Sequence, residues 1–505
     1  MVARGGAFVS LCGMGPSAAQ LSVTRQSPIF VILPRPCLDQ NQGKSRLHCA
    51  QRYSRAMSAV DCRGCPSGSS VPAARDAVER ALWRLMSFYD TPLADLDAAT
   101  QADPGWALPH LMKAGFLLSF TEPPVVAQAE AHLQDAAALM HHASDTERGH
   151  FEALQQVLDG RWHNACATWD EMLLRHPRDA LALQWAQLWD FFRGDAAQLR
   201  ARPARALPEW DEADPLHPYV LGLYAFGLEE CNLYAHAEDV GRQALEANPR
   251  GPWAIHAVAH VMEMQGRYEE GATWLRQHQP QWAEGNGFAV HLWWHKALFR
   301  LEAMDIPGVL RLADQHLSGA GMEISLERLD AAALLWRLHL LGEDVVAPAA
   351  RLADAWGSSD AQSGYYVFND VHMVLALLAA DRMGAAEAWV ARCAERALDG
   401  HDARRANHAM AREVGLPLMR ALLAFQRGDA DAACEGLYAV RPLAQRFGGS
   451  HAQRDLIDQT LIAAAAQGRR RELGRAVVNE RQMAKPITPL TRHWMQALDL
   501  QPQRA

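Results

Sequence analysis

The sequence has 505 residues, of which 49% are apolar and 21% are charged, and its formal net charge is −9. These proportions are normal for a globular protein, and no apolar run approaches the roughly 20 residues that a membrane-spanning helix needs. The acidic balance argues against a general nucleic-acid binder, which needs a basic surface to displace counterions, so we expect neither a membrane nor a nucleic-acid partner.

The first 60 residues differ in composition from the rest of the chain. They carry seven Lys or Arg residues against a single acid, Asp39. An acid-poor start with arginine and serine is typical of an organelle transit peptide, and the alternative is that translation begins at Met57. Under either interpretation we expect residues 1–56 to lie outside the fold, as a disordered or wrongly assigned extension, and residues 57–73 to form a flexible lead-in.

The cysteines predict a reducing compartment rather than a metal site. Cys62 and Cys65 form a CxxC pair, but no second pair lies nearby to complete a zinc site. The later cysteines are far apart in the sequence, which suits buried free thiols: Cys166, Cys231, Cys393 and Cys434. We therefore expect a cytoplasmic protein, and we predict no cofactor.

From residue 74 onward the sequence predicts helices. Apolar residues recur at spacings of three and four, as at Val78, Ala81, Leu82 and Leu85, which is the pattern of an amphipathic helix. Alternating Val, Ile and Thr runs, which would indicate strands, are absent. Short clusters of Gly, Pro and Asp divide the pattern into helices of roughly 10–16 residues.

A recurring turn indicates that these helices form a repeat. Gly160-Arg161-Trp162 and Gly266-Arg267-Tyr268 share a glycine followed two residues later by an aromatic ring, and Asn232-Leu233-Tyr234 fits the same frame. Tyr234 and Tyr268 are 34 residues apart, which is the period of the tetratricopeptide helix–turn–helix repeat. Weaker copies occur near Met383 and Gly428.

One such helix pair cannot bury its apolar face alone, so pairs stack into a superhelix with a concave inner surface. The sequence therefore predicts an all-α fold, specifically an α-solenoid of tetratricopeptide-like repeats over residues 74–500. The first helix of each pair should line the concave side.

Two pairs of histidines lie on this predicted concave face. His256 and His260 are four residues apart, and so are His291 and His295, so each pair shares one side of a helix. Trp253 lies on the same stripe as the first pair. Because the two helices belong to neighbouring repeats, we expect the two pairs to face the groove together.

Glutamates recur at one position of the same stripe. Glu229 and Glu263 each come five residues before the aromatic of their turn. Glu302 holds a similar position before Asp305-Ile306, where the turn departs from the glycine-and-aromatic pattern. We therefore expect all three carboxylates on the inner face.

Three interpretations of this stripe stay open. Histidines four residues apart can share a metal ion, as zinc sites do, although the residue after His256 is Ala257 and not the glutamate of a zinc-protease motif. The same side chains could instead form a structural network of histidines and carboxylates. A third possibility is a polar and aromatic groove for a peptide or a small molecule.

Seven blocks of the chain resemble the tetratricopeptide-repeat protein 38 family. The blocks are HPYVLGLYAFGLEECNLYAHAE, WAIHAVAHVMEM, HLWWHKAL, FNDVH, AREVGLPL, GGSHAQRD and ERQMAKPITPLTR. They occur in the order of the family over most of residues 61–495. They leave the basic first 60 residues unmatched, which favours the start at Met57. The resemblance implies a cytosolic helical protein of the tetratricopeptide type, and because no activity is firmly established for the family, it implies more about fold than about function.

The family blocks add polar residues to the candidate groove. Asp370 and His372 lie near the start of a predicted first helix, and Arg454 and Asp455 follow Gly448-Gly449-Ser450. A Gly-Gly-Ser sequence before a helix can bind an anion at its free N–H groups or can act as an N-cap, and we favour the cap.

The leading hypothesis is a binding or scaffold protein whose groove takes a peptide, a protein partner or a small ligand. The rival hypothesis is a metal-assisted or acid/base enzyme that uses the same histidines and carboxylates. From the sequence we assign no catalytic residue and no metal ligand. The candidate groove residues are Glu229, Trp253, His256, His260, Glu263, His291, His295, Glu302, Asp370, His372, Arg454 and Asp455.

Overall fold

The chain folds almost entirely into α-helices, in agreement with its apolar periodicity. A computed structural model describes residues 59–318, 322–356, 363–400 and 403–500, all of which belong to one compact unit, Met57–Ala505. The expectation for residues 1–56 lies outside these ranges. Within them, no helix combines the length and the apolar character that crossing a bilayer requires.

The first half of the fold contains a short hairpin and twelve helices. The hairpin pairs β1 (Ala59–Val60) with β2 (Pro66–Ser67) in antiparallel fashion. The helices are α1 Pro72–Ser87, α2 Leu93–Ala102, α3 Leu108–Leu118, α4 Pro123–Leu139, α5 Asp145–Leu158, α6 Trp162–Arg175, α7 Ala180–Phe192, α8 Ala196–Ala206, α9 His217–Glu230, α10 Tyr234–Ala247, α11 Pro252–Met264 and α12 Tyr268–Gln277.

The second half continues with α13 Ala289–Glu302, α14 Ile306–His316, α15 Ser325–Leu340, α16 Val346–Trp356, α17 Val367–Ala379, α18 Met383–Ala397, α19 Ala406–Met410, α20 Leu416–Gln426, α21 Ala430–Val440, α22 His451–Gln467, α23 Arg471–Ala484 and α24 Pro489–Ala497. A π-helical turn over Ala411–Gly415 joins α19 to α20. Helices that follow one another in the sequence pack on one another, as in an α-helical repeat fold.

Eight of the described turns that directly join two successive α-helices share one backbone geometry. In each of them, a residue with positive φ lies two positions before the first residue of the next helix. These residues are Thr121, Gly160, Gly194, Asn232, Gly266, Met304, Asp381 and Gly428. The repeated turn read from the sequence is therefore a left-handed residue that reverses the chain, and glycine is its least strained occupant.

The stretch expected as a flexible lead-in carries a buried cation. Arg63, between the two short strands, is only 3% exposed and donates to the Glu79 carboxylate at 2.6 and 2.8 Å. Asp214 lies 3.8 Å away on its other side. These ion pairs attach the hairpin to α1 and to the segment before α9.

The C-terminal helices cover part of the surface that the sequence predicts to be concave. Helix α22 packs on α11 and α15, and α24 packs on α13. The Trp336 indole of α15 donates to the Thr460 hydroxyl of α22 at 2.9 Å, and the Arg337 guanidinium donates to the carbonyl of Ala452 at 2.7 Å. The helices that carry the histidines therefore face the C-terminal part of their own chain.

Helix α22 begins with a capping box. The Ser450 hydroxyl accepts from the Gln453 backbone N–H at 3.2 Å, and the Gln453 side chain accepts from the Ser450 backbone N–H at 3.0 Å. Both residues satisfy donors of the first turn, which are otherwise unpaired at a helix start. The preferred N-cap interpretation of Gly448-Gly449-Ser450 is thus correct.

Candidate functional site

The four histidines of α11 and α13 meet in the interior. Nε2 of His256 lies 3.0 Å from Nε2 of His291, which lies 3.2 Å from Nε2 of His295. One ring nitrogen from each of these three residues and from His260 falls within 4.8 Å of all the others. The two helices are neighbours, so the spacing of four within each pair and the repeat between the pairs bring the rings together.

Three of these histidines turn their other ring nitrogen toward a buried carboxylate. Nδ1 of His291 is 2.7 Å from Asp330, Nδ1 of His295 is 3.0 Å from Glu263, and Nδ1 of His260 is 3.6 Å from Glu229. Carboxylates placed behind the imidazoles in this way fix the tautomer and the orientation of histidines that bind metal ions. Each of these three rings thus has an inner nitrogen toward the cluster and an outer nitrogen toward an acid.

Burial disfavours the charged form of three of the four histidines. It lowers the pKa of His260 to about 3 and holds the pKa values of His256 and His295 well below the ordinary histidine value. Neutral imidazole is the form that binds metals. Among the described residues, neither ring nitrogen of His260 has a hydrogen-bond partner, and neither does Nδ1 of His256.

The acids behind the histidines also respond to burial. It raises the pKa of Glu263 to about 8. Burial, with the neighbouring Glu230 carboxylate, raises the pKa of Glu229 to about 7. A structural network without a metal ion therefore has one route: a protonated Glu263 donates to Nδ1 of His295, whose Nε2–H then donates toward His291. This route still leaves His260 without a hydrogen bond.

A cavity of about 400 Å³ lies beside the cluster, and His256 and His291 form part of its wall. Nine further wall residues are aromatic: Phe88, Phe116, Phe120, Trp185, Phe191, Phe192, Phe226, Trp253 and Phe288. The ring of His256 packs 4.9 Å from Phe288, 5.2 Å from Trp253 and 5.3 Å from Phe226, between ring centroids. The cluster is therefore one polar side of a chamber whose wall is mainly apolar.

The charged residues of the cavity wall are mostly acidic. Asp90, Glu323 and Glu327 contribute carboxylates, and the cation Arg84 is already paired with Asp95 at 2.7 Å and with Asp90 at 3.3 Å. Asp90 and Glu323 are exposed, so they mark the end of the cavity that opens to solvent. The described wall thus offers no unpaired cation to an anionic ligand.

Several candidate residues instead hold the C-terminal segment in place. The Arg454 guanidinium and the His451 ring lie 3.1 and 3.3 Å from the Glu230 carboxylate. Glu302 accepts from the Lys485 ammonium group at 3.1 Å, and Asp455 pairs with the Arg481 guanidinium. Of the recurring glutamates, Glu302 faces bases from this segment, which explains its position on the inner face.

The pKa values of His451 and Glu230 at this contact shift in the direction that favours the charged form of each partner. Burial disfavours the charged form of His451, but Glu230 and Glu229 outweigh it and raise the pKa of His451 to about 10. For Glu230, burial acts against ionisation, and His451 and Arg454 outweigh it, so its pKa falls well below the usual range. The contact is an ion-paired interface rather than a free groove.

Asp370 and His372 do not line the aromatic cavity. The Asp370 carboxylate accepts from the Gly364 N–H at 3.1 Å and from the Trp389 indole at 3.0 Å, and burial raises its pKa to about 7. Nδ1 of His372 donates to the Phe368 carbonyl at 2.8 Å. Asp370 therefore connects α17 to its surroundings, whereas the hydrogen bond of His372 lies within α17, and neither residue belongs to the histidine cluster.

The sequence patterns do not indicate the partners that come from distant helices. These partners are the buried acids Asp330 and Glu230, and His451, which lies inside one of the motif blocks. A signal was present for Asp330, since it is an acid in the middle of an apolar helix, and such an acid needs a buried partner. No family model matches the sequence, so the family resemblance stays a prediction from the motif blocks.

Proposed function

We propose that this protein binds a small, largely apolar molecule without negative charge in its aromatic cavity, and that it belongs to the tetratricopeptide-like helical proteins of the cytoplasm. The observation that carries the proposal is the cavity of about 400 Å³ with nine aromatic side chains and two imidazoles in its wall. Cavities of this size and character are typical small-molecule sites.

The expected groove for a peptide or protein partner has less support. Helices α22 and α24 already pack on the histidine-bearing helices α11 and α13, and the inner carboxylates Glu230 and Glu302 are paired with residues of this segment. An incoming peptide would have to displace these ion pairs. A peptide or protein partner therefore stays a prediction without structural support at this face.

The charged residues of the cavity wall determine which ligand charge the cavity prefers. An anionic ligand would lose its hydration without gaining a cation, because Arg84 is committed to Asp90 and Asp95, and burying an unpaired charge is costly. A neutral ligand has no such cost. A cationic ligand gains from the aromatic faces and from the carboxylates Asp90 and Glu323 at the exposed end.

The experiment is calorimetric titration of the full chain, first dialysed against a chelator so that no metal cation is present at the wall, with 4-phenylbutylamine, 4-phenylbutanol and 4-phenylbutanoate. We expect the amine and the alcohol to bind and the carboxylate to bind about tenfold or more weakly. Leu188→Trp should fill the cavity and abolish binding, since Leu188 lies in its wall. Leu174→Trp is the matched control, because Leu174 is exposed and outside the cavity. Equal or tighter binding of the carboxylate, or no effect of Leu188→Trp, would contradict the proposal.

A further inference from the structure

We propose that His256, His260, His291 and His295 bind one d-block metal ion at the wall of the cavity. The inference goes beyond the proposed ligand binding, because it assigns a metal ion to the ring nitrogens of the cluster, two of whose residues lie behind the cavity wall. It rests on the separations of the ring nitrogens, on the acids behind the rings and on the hydrogen bonds that the cluster lacks.

Two of the separations between ring nitrogens match those of ligands on a shared ion. Nitrogens that are each about 2.0–2.1 Å from a metal ion lie about 3.4 Å apart at the tetrahedral angle and about 2.9 Å apart at a right angle. The Nε2 atoms of His256 and His291 are 3.0 Å apart, and those of His291 and His295 are 3.2 Å apart. Both distances fall inside this interval.

The acids place lone pairs on the inner nitrogens. When both acids are ionised, they only accept hydrogen bonds, so that Nδ1 of His291 donates to Asp330 and Nδ1 of His295 donates to Glu263. A bound cation favours this form of Glu263 over the protonated form that the network without a metal ion needs. Each Nε2 then presents a lone pair to the other across 3.2 Å. Two facing lone pairs repel unless a cation lies between them, and a shared metal ion is such a cation.

His260 distinguishes the metal interpretation from a purely structural network. Its side chain is fully buried, and neither of its nitrogens has a hydrogen-bond partner among the described residues. Buried polar atoms are nearly always satisfied. Nδ1 of His260 is oriented toward Glu229 at 3.6 Å, and a metal ion in the cluster would satisfy the opposite nitrogen.

The donor set indicates the class of ion. Four imidazole nitrogens, without a carboxylate among the inner ligand atoms, suit zinc, iron, copper or nickel, whereas magnesium and calcium require oxygen ligands. No cysteine belongs to the group of candidate ligands. The site is therefore expected to bind a d-block divalent ion.

The position of the cluster links it to the cavity. His256 and His291 line the chamber, whereas His260 and His295 lie behind them and do not. When bound, such an ion polarises an oxygen or nitrogen atom of a nearby molecule or activates a water molecule. The aromatic walls would hold the reactive group of the ligand against the His256 and His291 side of the cluster and exclude bulk water.

Asp330 is the positioning residue that can be tested most directly. Its carboxylate accepts hydrogen bonds from Nδ1 of His291 at 2.7 Å and from the Gln453 side-chain amide at 3.4 Å. It does not contact the inner nitrogens, so it acts through His291. Removing an acid of this kind lowers metal affinity about 10–100-fold.

The experiment is elemental analysis of the purified full chain, followed by chelator dialysis and titration with Co²⁺, which gives visible d–d bands when nitrogen ligands surround it. We expect about one d-block ion per chain, with tetrahedral or five-coordinate Co²⁺ bands that Zn²⁺ abolishes. His295→Ala should lose both signals. Asp330→Asn should keep the bands and weaken Co²⁺ affinity by about tenfold or more.

His372→Ala is the matched control, because His372 is equally buried, has an unpartnered Nε2 and lies outside the cluster. Circular dichroism of every variant separates loss of metal from loss of fold. If His295→Ala does not fold, His256→Asn at the cavity wall replaces it. Absence of any stoichiometric metal and of Co²⁺ bands, or equal loss in His372→Ala, would overturn the inference while calorimetric ligand binding still reports on the cavity alone.

Discussion

At the scale of single residues, the buried ion pairs around Glu230 are the most informative groups outside the histidine cluster. His451 and Arg454 approach one carboxylate from the first turn of α22. A buried charge that keeps its partners stabilises the fold only while both remain ionised. The titration of His451 therefore reports whether α22 is docked as described.

The stability of the protein should depend on this histidine at alkaline pH. Because Glu230 and Glu229 outweigh burial and raise the pKa of His451 from its ordinary 6.5 to about 10, the folded state holds its proton more tightly than the unfolded state. The stabilisation is fully present below pH 6.5 and disappears as the pH rises through about 10. We expect His451→Gln to lower the free energy of unfolding at pH 6.5 by a few kcal/mol, on the order set by the shift.

The measurement is thermal or urea unfolding of both proteins between pH 6.5 and 10. The difference between them should shrink as the pH rises, because only the natural protein loses the histidine charge. Tyrosines and cysteines titrate in both proteins and cancel. His141→Gln, at an exposed histidine without an ion pair among the described residues, should show no difference at any pH. If the difference in the free energy of unfolding between the natural protein and His451→Gln stayed constant over this pH range, His451 would not be held by Glu230.

The sequence predicted the cluster of histidines but not its acids, for a physical reason. A spacing of four fixes which side chains share a helix face, and the repeat places α11 beside α13, so His256 and His291 could be expected to meet. Asp330 reaches His291 from α15, which depends on how a third helix packs. Glu230 meets His451 across 221 positions of sequence, and no local pattern encodes that pairing.

At the scale of helices and turns, the recurring feature is the left-handed residue two positions before many of the second helices. Gly266 has φ of +69°, and a Cβ there would also meet Lys485 and Pro486 at 3.3 Å. Gly384, in contrast, is the second residue of α18, has no positive φ and has open space around a Cβ. These two glycines of similar sequence context therefore have opposite requirements.

Exchange of these glycines for alanine should separate the two cases. We expect Gly266→Ala to lower the free energy of unfolding by about 1–2 kcal/mol, the cost of a left-handed non-glycine residue. Gly384→Ala should leave stability unchanged or raise it by up to about 1 kcal/mol, because alanine favours the helix. Urea unfolding monitored by circular dichroism measures both. Equal effects of the two exchanges would contradict the turn geometry.

The turn before α14 offers the reverse test. Its left-handed position is occupied by Met304, with φ of 56°, where the repeat elsewhere uses glycine or a short polar residue. Met304→Gly should raise the free energy of unfolding by roughly 0.5–1 kcal/mol, since relief of the strain exceeds the added flexibility of the unfolded chain. Asn232→Gly is the control and should gain less, because asparagine tolerates this conformation. A loss of stability at Met304→Gly would show that its side chain matters more than its backbone.

The helix starts were predictable because turn chemistry is local. Helices α6, α10 and α12 begin at Trp162, Tyr234 and Tyr268, the aromatics that the sequence pattern identified. The irregular third turn also keeps the common geometry, although Met304 is not a residue that indicates it. The position of the left-handed residue near Met383 was not predictable, since Asp381 and not Gly384 adopts it.

At the scale of the whole molecule, the decisive feature is the contact between the C-terminal segment and the helices that carry the histidines. A repeat pattern predicts an inner face but not its occupant, because neighbouring repeats specify only nearest-neighbour packing. The bases that cover this face, among them Arg481 and Lys485, come from the last helices of the chain. Part of the face that the sequence predicts to bind a partner is therefore covered by the protein's own C-terminal helices.

A charge reversal at Lys485 tests whether the C-terminal segment is docked on α13. Its ammonium group is 3.1 Å from the Glu302 carboxylate, and both side chains are nine-tenths buried. Lys485→Glu would place two carboxylates against each other in the interior, and breaking a buried pair costs about 3–5 kcal/mol. We expect a fall in the free energy of unfolding of that order, together with faster proteolysis of residues 451–500, because the segment loses its attachment to α13.

Arg351→Glu is the matched control, since it makes the same change of charge at an exposed position of α16, where surface substitutions alter stability by about 0.5 kcal/mol or less. Both variants are compared by urea unfolding and by limited proteolysis with mass-spectrometric mapping of the cleavage sites. If Lys485→Glu were as stable and as resistant as Arg351→Glu, the C-terminal helices would not be held by Glu302, and the inner face would be open to a partner. The expected difference therefore bears directly on whether the aromatic cavity, rather than an exposed groove, is the binding site.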